Sequence, residues 1–113
     1  MPRDYRLYLD DILESCRKIR QFTEGVSFQE FQQNTMMQDA VIRNFEIIGE
    51  AVNHLPEEIK SLYHDIELAE IIGFRNILAH GYFAVKVETV WSAIEEGLPD
   101  LEQQTQALLG QES

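Results

Sequence analysis

Apolar residues recur every three or four positions over almost the whole chain, and no stretch alternates with a period of two in competition. That periodicity restricts the fold to packed amphipathic helices. Leu9, Ile12, Leu13, Cys16 and Ile19 make a first stripe that runs on to Phe22, where Thr23, Glu24 and Gly25 stop it. Ser27-Phe28-Gln29-Glu30 reads as a capping box for a short helical turn over 28–33, and Thr35-Met36-Met37-Gln38 as a second one. A longer helix follows from about Met36 to His54. It carries Val41, Phe45, Ile48 and Val52 on one face with Ile42, Ile47 and Ala51 beside them, an apolar surface wide enough for a central helix.

Leu55-Pro56-Glu57-Glu58 breaks that helix and starts a short piece reaching about Tyr63. Asp65 is placed to cap a helix from about Ile66 to His80, with Gly81 suited to end it. The last helix spans roughly Glu88 to Leu109, with Val90, Trp91, Ile94, Leu98, Leu101, Leu108 and Leu109 as core candidates and Pro99 expected to kink or split it. The expected fold is all-α: a helical bundle of four main helices plus one or two short ones, in a single domain over residues 1–113.

Composition narrows the function classes. At 113 residues the chain suits one small domain. Its net charge of -11 argues against a broad basic surface for gripping duplex DNA. A single cysteine makes no intrachain disulfide and no cysteine pair for zinc. No apolar run approaches the roughly 18 residues of a membrane span, and the N-terminus lacks the apolar core of a signal peptide, so a cytoplasmic protein is expected. The charge is also uneven: Arg3, Arg6, Arg17, Lys18, Arg20 and Arg43 nearly balance the acids before residue 46. Only Lys60, Arg75 and Lys86 stand against thirteen acids from residue 46 onward. A polyanion would have to be met by the first half of the chain together with Arg75.

Gly73-Phe74-Arg75-Asn76-Ile77-Leu78-Ala79-His80-Gly81-Tyr82 concentrates polar groups where a helix should be ending. Ile71, Phe74 and Leu78 share one face and suit the core, while Gly73, Asn76 and His80 share another. On an ideal helix Arg75 and His80 lie about 140° apart round the axis and about 7.5 Å apart along it, so they border a groove. A second copy across a two-fold axis could bring two such pairs together. The negative end of a helix favours a protonated His80. An imidazole that cycles near neutral pH beside a fixed guanidinium suits phosphodiester chemistry. By residue type alone, the same stretch also reads as an ordinary helix end capped by His80.

These residues resemble a family. Arg75-Asn76-Ile77-Leu78-Ala79-His80 is similar to the Arg-(polar)-x-x-x-His signature of HEPN ribonucleases, and His80-Gly81-Tyr82 is similar to the HepT toxin branch. The likeness extends through 38–44, 46–51, 70–73 and on to Trp91; the family often carries Pro-Trp where this chain has Glu67-Leu68. The resemblance implies a metal-independent endoribonuclease toxin of a toxin–antitoxin system, with a HEPN-like bundle, no cofactor of its own, and a homodimer whose two Arg-x4-His motifs form one cleft. It implies Arg75 as the transition-state cation, Asn76 as a polar helper, and His80 as the acid–base group. Tyr82 would be the tyrosine that a MNT-type nucleotidyltransferase antitoxin modifies with AMP from ATP. Arg17, Lys18 and Arg43 are candidate RNA contacts. The alternative is a non-catalytic HEPN dimer that binds nucleotide or the transferase partner.

Other residues invite simpler readings. His54 and His64 are separated by Pro56, which interrupts the spacing a helical metal pair needs. Cys16 and Trp91 read as core residues and Met36 and Met37 as packing residues, with an interface role as the second reading for Trp91 and the two methionines, and Glu46 and Glu50 lie one helical turn apart.

Overall fold

The computed structural model describes residues 4–64, 71 and 86–111. The protein is an all-α helical bundle, with no strand among the described residues. The elements are α1 (Tyr5–Thr23), α2 (Phe28–Gln32), α3 (Thr35–Asn53), α4 (Glu57–Lys60) and α5 (Val87–Ser92). A π-helical turn (Ala93–Gly97) then leads into α6 (Leu98–Gln111). The helix expected over 66–80, with its Asp65 cap and Gly81 stop, lies outside the described residues apart from Ile71, which is helical and packs against the core.

Helix α1 starts at Asp4, whose carboxylate accepts the Arg6 main-chain N–H at 3.0 Å and the Arg6 guanidinium at 2.8 Å. It ends where the Thr23 hydroxyl donates to the Ile19 carbonyl at 2.8 Å and Gly25 takes φ 71°, a left-handed conformation that glycine adopts without a Cβ penalty. Leu9, Ile12, Cys16 and Ile19 are fully buried, as the stripe requires.

Ser27 and Glu30 form the expected capping box: the Ser27 hydroxyl accepts the Glu30 N–H and the Glu30 carboxylate accepts the Ser27 N–H, each at 3.1 Å. The second box is corrected. The cap of α3 is Asn34, whose Oδ1 accepts the Met37 N–H at 3.0 Å. Gln38 instead donates back to the carbonyls of Phe31 and Gln32 at 2.8 and 2.9 Å, adding a second hydrogen bond to the Phe31 carbonyl, which also accepts the Asn34 N–H at 3.2 Å, and a partner for the Gln32 carbonyl at the end of α2. Met36, expected to pack, is 82 % exposed in the first turn of α3, whereas Met37 packs against the core.

Pro56 caps α4 without needing an N–H. The break at Pro99 takes the form of a register shift. Proline cannot donate to the Glu95 carbonyl, and its ring crowds that carbonyl in an α-helix. The chain widens just before it: the Leu98 N–H reaches the Ala93 carbonyl, five residues back, and α6 continues in the same run.

α1 packs along α3, α6 packs on α1, and α2 sits against α3. Trp91 closes one side of the core, its ring 5.1 Å from Phe31 and 5.9 Å from Phe28. Burial of an apolar stripe from each of the long helices holds the bundle, at about 1.5–3 kcal/mol per large aliphatic side chain. No helix among the described residues is long and apolar enough to cross a membrane.

Candidate functional site

Arg75, Asn76, His80 and Tyr82 lie outside the described residues, so the structure defines the frame on either side of the motif. On the near side, Tyr63 is buried and its hydroxyl meets Thr105 Oγ1 at 2.7 Å, while Thr105 donates in turn to the Leu101 carbonyl at 2.7 Å. Tyr63 is therefore the donor in the first of these bonds. The next residue is held harder still: Gln104 Oε1 accepts the His64 N–H at 2.6 Å and Gln104 Nε2 donates to the His64 carbonyl at 2.7 Å. On the far side, Lys86 caps α5, Val87 packs against the core and Val90 is buried in it. The sequence reading missed Gln104, because glutamine in a helix gives no local signal of a partner forty positions away.

The candidate RNA contacts differ in availability. Arg17 is engaged by Glu14, at 2.6 Å and 3.1 Å, and by Gln21 at 3.2 Å. The hydrogen bond from Arg17 holds the Glu14 carboxyl below its ordinary range and raises the guanidinium. Arg43 sits 3.4 Å from Glu46. Lys18 is exposed and makes no ion pair among the described residues.

Arg20 spans from α1 to Glu102 on α6 at 2.6 Å. An open groove of about 530 Å³ beside that pair is lined by Asp10, Asp11, Glu14 and Glu102 as well as Arg17 and Arg20. Its excess of carboxylates repels a polyanion, so Arg17 would have to leave Glu14 to serve one.

His54 Nε2 lies 3.0 Å from Glu50, and the ring stacks on Tyr8 at 5.2 Å and 14°. Among the described residues no group of three or more His, Cys, Asp or Glu could hold a metal ion. Cys16 is fully buried, and burial pushes its thiol up to about 12, which keeps it a thiol and a poor nucleophile.

Comparison with known proteins defines the class. The family described as "Ribonuclease HepT-like" matches residues 12–108, a span that contains the whole Arg75–Tyr82 motif. A protein of Caldanaerobacter subterraneus subsp. tengcongensis named as a candidate RNase is 36% identical over 95% of this chain and 96% of its own length. One from Methanocaldococcus jannaschii, similarly named, is 35% identical over 92% of this chain and 95% of its own. A candidate ribonuclease HepT of Thermococcus cleftensis is 39% identical over 89% and 92%. No solved structure matches the chain. The chain belongs to the ribonuclease HepT-like family, an enzyme class that cleaves RNA.

Proposed function

We propose that this ribonuclease is a metal-independent endoribonuclease toxin, active as a homodimer and neutralised by AMPylation of Tyr82. The observation that carries the reading is the family match over 12–108, within which Arg75, Asn76, His80 and Tyr82 stand at the motif spacing. Two Arg75–His80 pairs, one from each copy, form a single cleft. One imidazole takes the proton from a ribose 2'-hydroxyl as its oxygen attacks the neighbouring phosphorus. The 5'-oxygen leaves and takes a proton from the other imidazole, giving a 2',3'-cyclic phosphate and a 5'-hydroxyl. Arg75 stabilises the charge that builds on the phosphorane oxygens, and its planar fork suits two of them at once. Asn76 hydrogen-bonds a group in the cleft without adding charge.

The antitoxin is a MNT-type nucleotidyltransferase. On it the Tyr82 oxygen displaces pyrophosphate from the α-phosphorus of ATP. The resulting AMP adds bulk and negative charge beside the cleft, which opposes a second polyanion. The strongly acidic chain is compatible with RNA because a narrow cleft needs cations only locally.

The test is RNA cleavage in EDTA by protein whose intact mass shows Tyr82 unmodified. Cyclic-phosphate ends that disappear with His80→Ala are expected. Folded, unmodified dimer that cleaves none of a varied set of RNAs overturns the reading and leaves a nucleotide- or partner-binding module.

A further inference from the structure

We draw no further inference here: the strongest candidate, the exposed carboxylate cluster of Glu88, Glu95, Glu96 and Asp100 along α5, the π-helical turn and α6, carries nothing, because no second feature among the described residues points to a ligand for it.

Discussion

Gln104 and His64 are joined by a two-point hydrogen bond across forty residues: one side-chain amide satisfies both the N–H and the carbonyl of a single main-chain unit, at 2.6 and 2.7 Å. It holds the chain at the last described residue before the segment that leads into the motif. Gln104→Ala should lower stability by about 1–2 kcal/mol, the loss of two exposed hydrogen bonds. The neighbouring Gln103→Ala, at an exposed position, should stay within about 0.5 kcal/mol of wild type. Urea unfolding of the two variants checks this, and equal midpoints would show that the clamp contributes nothing.

Cys16 and Tyr63 set an alkaline limit on the fold. Burial raises both groups, Cys16 from 9.0 and Tyr63 from 10.0, each to about 12. Both are neutral acids whose folded pKa exceeds the unfolded one, so the unfolded chain loses its protons first. Stability is thus fully present below about pH 9 and falls as pH rises from there towards 12. Urea midpoints taken from pH 7 upward should decline in that window. Cys16→Ala should remove the earlier part of the decline and Tyr63→Phe the later part. Each variant also starts lower at pH 7, because one leaves a cavity and the other strips Thr105 of a donor.

The long helices were legible in the sequence because each buries one continuous stripe, and a stripe is a local pattern. The Ser27–Glu30 box was legible for the same reason: both partners lie within one turn. The Thr35 cap was misread because Asn34, Thr35 and Gln38 all fit a cap by composition, and only the reach of Gln38 back to α2 decides among them. Pro99 announced a disruption, but whether a helix breaks or widens by one residue depends on what packs around Ile94 and Leu98, both buried. In the candidate site, the motif stood out as unusual residue types at fixed spacing. Gln104 did not, because its meaning lies in a partner distant along the chain.

RNA binding should separate the candidate cations by what already holds them. Lys18→Ala should weaken binding about equally for all sequences and lower the salt slope by roughly 0.7, the loss of one phosphate contact on a single strand. Arg17→Ala should change binding less, since Glu14 already engages that guanidinium at 2.6 Å. Glu14→Gln should tighten binding by freeing it. Affinity measured against salt concentration for the three variants is the check, and an Arg17→Ala loss equal to that of Lys18→Ala would mean that the ion pair opens without cost.

Tyr82→Phe separates cleavage from its control. The substitution removes one oxygen and no ring carbon, so it keeps the aromatic surface while eliminating the hydroxyl proposed above as the acceptor of AMP. Cleavage by Tyr82→Phe should stay within about threefold of wild type, a change too small to represent a lost transition-state contact. Incubation with ATP and a MNT-type transferase should add about 329 Da to wild type, the mass of AMP less water, or a multiple of it, and nothing to the variant. Cleavage should then fall in the modified wild type and persist in Tyr82→Phe. If the variant still gains the mass, another side chain is the acceptor. If wild type gains it and cleaves as before, the added phosphate does not obstruct the cleft, and neutralisation works through the bound partner.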